Sequence, residues 1–133
     1  MKRNNPYQTY QNNAVNTASG GELTLMLYNG CIKFIRRAIQ NMNDEQYEAK
    51  NKNIQKAQDI IQELMLTLDS KVTISREMMS LYEYMNHRLI EANVKNDARA
   101  LEEVLQFATE FRDTWKQVLL KARQNQYTQG AQV

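Results

Sequence analysis

Few residues in this sequence interrupt or cross-link a polypeptide chain. Its 133 residues include one proline, four glycines and one cysteine. Between Glu22 and Gln129 there is no proline and only one glycine, Gly30. A β-rich domain needs turn residues roughly every 8–12 positions, so this class is excluded and long helices are expected. The length fits one domain, and a content of 42% hydrophobic and 24% charged residues is typical of globular proteins.

The scarcity of cysteine and histidine excludes several kinds of site. Cys31 is the only cysteine and lies among apolar residues, so it indicates an intracellular protein with a buried thiol. His87 is the only histidine, which leaves no ligand set for structural zinc and one candidate base for a catalytic triad. We therefore expect no enzyme activity, catalytic residue, metal, cofactor or small-molecule substrate. An enzyme centred on Glu83 and His87 is the remote alternative.

The chain also has no long apolar run and no large charge of one sign. Its N-terminus lacks the apolar stretch of a signal peptide, and no segment approaches the ~20 apolar residues of a membrane span. Lys2 and Arg3 account for the net charge of +2, since 15 basic and 15 acidic residues follow them. We expect a cytoplasmic protein without membrane insertion and without a nucleic-acid partner.

The apolar residues that are present recur at helical spacing in four segments. The predicted helices run up to Met42, over Glu45–Leu68, over Ser75–Asn93, and from the cap at Asn96-Asp97 to Arg123. Short connections place successive helices antiparallel, so we predict an all-α fold, an antiparallel up-and-down four-helix bundle. The bundle domain is residues 19–124. We expect residues 1–18 to form an irregular N-terminal arm and residues 125–133 to form a disordered tail.

The first predicted helix carries two apolar stripes, whereas an ordinary surface helix carries one. Either this helix is central in the bundle, or one stripe faces a partner. The first stripe contains Leu23, Met26, Leu27, Gly30 or Cys31, Phe34 and Ala38. The second contains Leu25, Tyr28, Ile32, Ile35, Ile39 and Met42. The core stripe of the fourth helix runs from Leu101 to Ala122 and includes Trp115 and Val118.

Two features favour a surface that binds a partner helix. Seven methionines either fill gaps in the core or supply a deformable apolar surface. Tyr7 and Tyr10 are the large apolar residues of the arm. They either cover a groove of the bundle or contact the partner segment that binds in it. The residues that we predict to line this groove are Tyr28, Ile32 and Ile35 of the first helix with Ile60 and Met65 of the second.

A set of motifs extends over about residues 5–123. The most specific is Glu22-Leu23 followed by Met26-Leu27-Tyr28 and Gly30, in the block ELTLMLYNG. The others, in chain order, are Tyr7 with Tyr10, Val15, Thr17-Ala18, Asn53 to Leu64, Leu81-Tyr82, Leu89, Ala92-Asn93, Leu101, and Phe111-Arg112-Asp113 with Trp115. Together these motifs resemble the FliS family of flagellin export chaperones.

The resemblance implies a cytoplasmic export chaperone without enzymatic activity. Its client would be the C-terminal amphipathic segment of flagellin, which it would keep from premature polymerisation and hold competent for flagellar type III secretion. The resemblance also implies docking on the flagellar export gate protein and, in some species, contact with a regulatory protein. The residues alone leave another interpretation open, a helical adaptor or signalling bundle that binds a partner helix and has no export role.

Overall fold

The computed structural model describes residues 20–131, with side chains up to residue 125. Within these residues the chain forms helices and no strand. The helices are α1 (Gly20–Asn43), α2 (Tyr47–Leu66), α3 (Ile74–Lys95) and α4 (Ala98–Ala131). The predicted arm, residues 1–18 with Tyr7 and Tyr10, lies outside the described residues.

The helices form a closed ring in which each packs against its two neighbours in chain order and α4 packs against α1. The connections between them are short, at residues 44–46, 67–73 and 96–97. Successive helices are therefore antiparallel, as Lys50 near the start of α2 and Asn93 near the end of α3 show by their hydrogen bond of 3.0 Å. The all-α up-and-down four-helix bundle predicted from the sequence is confirmed.

The cap predicted for α4 forms, whereas Asp44 does not cap α2. Asp97 Oδ1 accepts hydrogen bonds from the backbone N–H groups of Arg99 (3.0 Å) and Ala100 (3.4 Å), so it caps α4 as predicted. Asp44 instead accepts a hydrogen bond from Gln40 Nε2 at 3.0 Å, within the preceding turn. Helix α2 consequently begins at Tyr47, later than predicted.

The last helix differs from its prediction in both length and burial. Helix α4 continues to Ala131, where a disordered tail was expected from residue 125. No proline interrupts it, and its only glycine is Gly130, so nothing ends the helix at residue 124. Val118 and Ala122, predicted as core residues, are exposed. At this level the start of α1 contacts other positions of α4, Gly21 with Trp115 and Glu22 with Arg123.

Helix α1 uses both of its apolar stripes inside the bundle. Gly30 of the first stripe lies against α2, where an added Cβ atom would be 3.1 Å from Ile60 Cδ1. Tyr28 of the second stripe stacks on Phe111 of α4, with ring centroids 6.0 Å apart. Of the two alternatives left open by the sequence, the structure therefore favours a central position for α1.

Two tyrosine hydroxyls inside the bundle are paired across it. The hydroxyls of Tyr28 and Tyr82 are 2.6 Å apart, which joins α1 to α3 on the opposite side of the ring. Burial is the main cause that raises the pKa of both tyrosines, and it raises the pKa of the nearby Cys31 thiol to about 12. All three groups are therefore neutral at physiological pH.

Lys50 lies in an environment that the polar start of the second predicted helix did not suggest. Lys50 is 3% exposed, although the neighbouring Asn51 and Lys52 are exposed. Its ammonium donates to the carbonyl oxygen of Asn93 at 3.0 Å and to Asn96 Oδ1 at 2.5 Å. A cation is favourable at a helix C-terminus, where carbonyl groups are unpaired. Lys50 thus fastens the start of α2 to the end of α3, while desolvation lowers its pKa.

We expect Trp115→Ala to lower the free energy of unfolding by about 2–4 kcal/mol, because truncation of a large aromatic residue removes packing and leaves a cavity. Trp115 is half-buried, and its Nε1 donates to the Gly21 carbonyl at 2.7 Å, which ties α4 to the first turn of α1. Trp115→Phe should cost only about 1 kcal/mol, the usual contribution of a lost hydrogen bond. Urea denaturation measures both. A loss below about 1 kcal/mol for Trp115→Ala would show that the contact is unimportant.

Stability should fall as the pH rises above about 9, because the folded chain holds protons that the unfolded chain releases. Cys31 and the two tyrosines have ordinary pKa values of 9.0 and 10.0, and folding raises each of them. Their contribution is therefore complete below these values and is lost above them. The double variant Tyr28→Phe/Tyr82→Phe should flatten this loss above pH 10, by up to about 1.4 kcal/mol per pH unit for each tyrosine.

Urea unfolding between about pH 8 and 11 tests this expectation. Removing both hydroxyls avoids leaving one of them buried without a partner. The exposed Tyr47 provides a matched control, since Tyr47→Phe removes a hydroxyl outside the core. If the double variant and the control lose stability with the same slope, the buried hydroxyls do not cause the alkaline loss.

Candidate functional site

The structure places most of the predicted groove residues in the core. Tyr28, Ile32, Ile35 and Ile60 are between 0% and 4% exposed. Met65 is half-buried and packs against the same core. Their side chains are covered by the other helices of this bundle, so they form no open groove in this structure. Contact between these five residues and a partner stays a prediction.

The methionines do not supply an exposed surface in the part of the chain that the structure describes. Met42 and Met85 are buried, whereas Met26, Met65, Met78 and Met79 are half-buried. This distribution favours the first of the two roles considered above, the filling of gaps in the core.

Apolar side chains remain accessible between α3 and α4. Tyr84 is 43% exposed and meets the half-buried Phe107 edge to face, with centroids 6.1 Å apart. Phe107 in turn stacks on Phe111 at 6.3 Å. The antiparallel register set by Tyr84 and Phe107 brings Ile74, 59% exposed, level with Val118, 45% exposed. The α3–α4 groove is defined here as Ile74, Leu81, Tyr84, Phe107, Phe111 and Val118.

One rim of the α3–α4 groove is polar and cross-linked. Arg88 pairs with Glu91 at 2.7 Å on its own helix and with Glu103 of α4 at 3.4 Å. The Tyr84 hydroxyl donates to the same Glu103 carboxylate. A shallow pocket of about 190 Å³ lies beside Phe107 and is lined by Glu103, Gln106, Phe107 and Glu110. The groove therefore combines an aromatic floor with carboxylates that can orient a bound segment.

The sequence did not indicate this groove, although one signal for it was present. Val118 was assigned to the core because its spacing matches the apolar pattern of α4. Spacing alone does not show which of these positions a neighbouring helix covers. The predicted third helix, Ser75–Asn93, does not include Ile74. The length of the fourth apolar pattern, which exceeds that of the other three, was the signal that its end would lack a covering helix.

The groups considered for catalysis are not brought together. His87 is exposed and pairs with Glu91 at 2.8 Å, not with Glu83 as the sequence suggested. Cys31 is fully buried. Among the residues that the structure describes, no three His, Cys, Asp or Glu side chains are grouped to hold a metal ion. Within the same residues, no helix combines the length and apolarity needed to cross a membrane.

Comparison with known proteins points consistently to one family. A family model described as "Flagellar protein FliS" matches residues 3–122. The chain is 51% identical over 130 residues to the flagellar secretion chaperone FliS of Bacillus subtilis strain 168, covering 98% of each chain. It is also 37% identical over 110 residues to the flagellar secretion chaperone FliS of Escherichia coli K12, covering 80% of this chain and 81% of that one.

A solved structure is similar to the bundle as a whole. It is described as the crystal structure of a flagellar chaperone from bacteria. It superposes with a TM-score of 0.72 at 20% sequence identity and covers 86% of this chain and 95% of that chain. At this identity the likeness concerns the fold.

Proposed function

The chain belongs to the FliS family of flagellar secretion chaperones, and we propose that its client is the C-terminal amphipathic segment of flagellin. The chaperone binds this segment in the cytoplasm, prevents its premature polymerisation and keeps it competent for flagellar type III secretion. It acts by binding and not by catalysis. The observation that carries the proposal is the nearly full-length similarity to a flagellar secretion chaperone.

The α3–α4 groove supports the proposal because its shape and chemistry suit an amphipathic helix. Such a helix presents apolar residues at positions i, i+3 or i+4, and i+7, which insert into a groove between two helices. From Ile74 to Tyr84 the groove extends for about 15 Å at ~1.5 Å per residue, the length of roughly three turns of a bound helix. Its apolar floor would cover side chains that otherwise drive flagellin subunits together.

Two further partners belong to the same proposal. The loaded chaperone would dock on the flagellar export gate protein, and it would meet a regulatory protein in some species. Neither contact requires a cofactor, since binding alone delivers the client. The adaptor without an export role remains the second interpretation, and titration with a flagellin C-terminal peptide separates the two, because such an adaptor would not bind it.

Val118→Asp is expected to weaken binding of a flagellin C-terminal peptide by about tenfold or more, because a carboxylate would be desolvated against the apolar face of the client. Val118 is 45% exposed at the end of the α3–α4 groove, so the substitution should cost little stability. Isothermal titration measures the affinity, and thermal unfolding checks the fold. Ile32→Asp would not serve, because a buried carboxylate would unfold the bundle.

Val94→Asp is the matched control for Val118→Asp. Val94 is also an exposed valine on a helix, at 76% exposure, but it lies at the other end of α3, away from the groove. The Val94→Asp variant should bind the peptide with the same affinity as the parent protein. Equal affinity of both variants would place the client elsewhere, whereas failure of the parent protein to bind the peptide would contradict the proposed client itself.

Deletion of residues 1–10 is expected to change the affinity for the same peptide without changing the stability of the bundle. Removal of Tyr7 and Tyr10 should strengthen binding if the arm competes with the client for the groove, since the client would no longer have to displace it. It should weaken binding if these tyrosines grip the client. An identical affinity for the full-length and shortened proteins would exclude both roles.

A further inference from the structure

Three cations from two helices surround one aromatic ring on the outer side of α1 and α2. Phe34 of α1 is 8% exposed. Lys33 Nζ lies 5.2 Å from the centroid of its ring and Lys56 Nζ of α2 lies 5.3 Å from it. The guanidinium carbon of Arg37 lies 5.9 Å from the same centroid. The Phe34 cluster is defined here as Phe34, Lys33, Arg37 and Lys56.

The cations of this cluster have no acidic partner among residues 20–125, for which side chains are described. Two other arginines of the bundle pair with carboxylates on a second helix. Arg88 contacts Glu91 and Glu103, and Arg123 contacts Glu22 at 2.8 Å. Lys33 and Arg37 are spaced i,i+4 on one helix, where like charges repel each other. The cluster is therefore a local excess of positive charge that no carboxylate of the described side chains neutralises by an ion pair.

The ring contacts explain where the cations are but leave their charges available. Long basic side chains cover an apolar ring with their alkyl stems and keep the charged group toward water. Lys33 and Arg37 are accordingly exposed although they contact a nearly buried ring. A carboxylate placed over the cluster would meet cations already held in position by Phe34, which lowers the ordering cost of binding.

We propose that the Phe34 cluster is a docking surface for an acidic segment of a protein partner. The partner presents aspartate or glutamate side chains about one helical turn apart, which matches the i,i+4 spacing of Lys33 and Arg37. Lys56 supplies the third charge from α2, so the surface requires both helices. This surface lies on the α1–α2 side of the ring, opposite the α3–α4 groove, and it does not depend on the identity of the client.

A protein segment fits the cluster better than a nucleic acid or a lipid surface. Nucleic acids and anionic membranes are extended arrays of charge that favour broad basic faces. The Phe34 cluster holds three cations, and the next cation on α2, Lys52, already pairs with Glu48 at 3.8 Å. A short acidic helix can match a patch of this size.

The test compares two triple variants of the full-length protein. Lys33→Gln/Arg37→Gln/Lys56→Gln removes the charges of the cluster. Its matched control, Lys95→Gln/Lys116→Gln/Lys121→Gln, removes three positive charges at exposed positions away from Phe34. The probe is a synthetic alanine-based helical peptide with glutamates four residues apart, and its glutamine analogue reports binding that needs no charge. Thermal unfolding verifies that both variants are folded.

The parent protein and the control variant should bind the glutamate peptide with similar affinity, while the cluster variant should bind it about tenfold more weakly or not at all. Binding should also weaken as salt is added. The proposal is overturned if the two variants lose affinity equally, if the glutamine peptide binds as well, or if the parent protein does not bind. Cluster-dependent binding of single-stranded RNA or of anionic vesicles, tighter than that of the peptide, would overturn the choice of a protein partner.

Discussion

The architecture depends on the need to bury both apolar sides of α1. A helix with two apolar stripes requires a neighbour on each side, and α2 and α4 occupy these positions through contacts such as Gly30 with Ile60 and Tyr28 with Phe111. Helix α3 closes the ring between α2 and α4, and its backbone does not pack against that of α1. Helix α3 contacts α1 through the hydrogen bond between the hydroxyls of Tyr82 and Tyr28. The central position of α1 thus determines which sides of the molecule remain open.

This arrangement accounts for the location of the exposed aromatic surface. Helix α4 packs on α3 inside the bundle, where Tyr82 meets Phe111 edge to face at 6.0 Å, and at the edge, through Tyr84 with Phe107 and Arg88 with Glu103. Edge contacts leave part of each ring accessible. At the start of α3, Ile74 is 59% exposed, and Val118 at the same level of α4 is 45% exposed. A chaperone needs such an unfilled apolar surface, and an ordinary bundle would cover it.

Helical spacing and short connections were sufficient to predict the four helices, their antiparallel order and the Asp97 cap. They were insufficient wherever the outcome depends on a second helix. The burial of Lys50 requires Asn93 and Asn96 of α3, which no local pattern reveals. Periodicity likewise could not distinguish a stripe that faces a partner from one that packs within the bundle, so contact of Ile32 and Ile35 with a partner stays a prediction. The family motifs identified the family, but not the side of the bundle that would receive a client.

The positions of the α3–α4 groove and the Phe34 cluster have a consequence for binding. A client helix in the groove would touch α3 and α4, whereas an acidic segment on the cluster would touch α1 and α2. These two pairs of helices meet at the interior of the ring, where Leu27, Ile35 and Leu64 are fully buried and close-packed. Since neither surface uses a residue of the other, occupation of one does not sterically block the other. A single bundle of this size can therefore carry a client on one side and be held by a second protein on the opposite side.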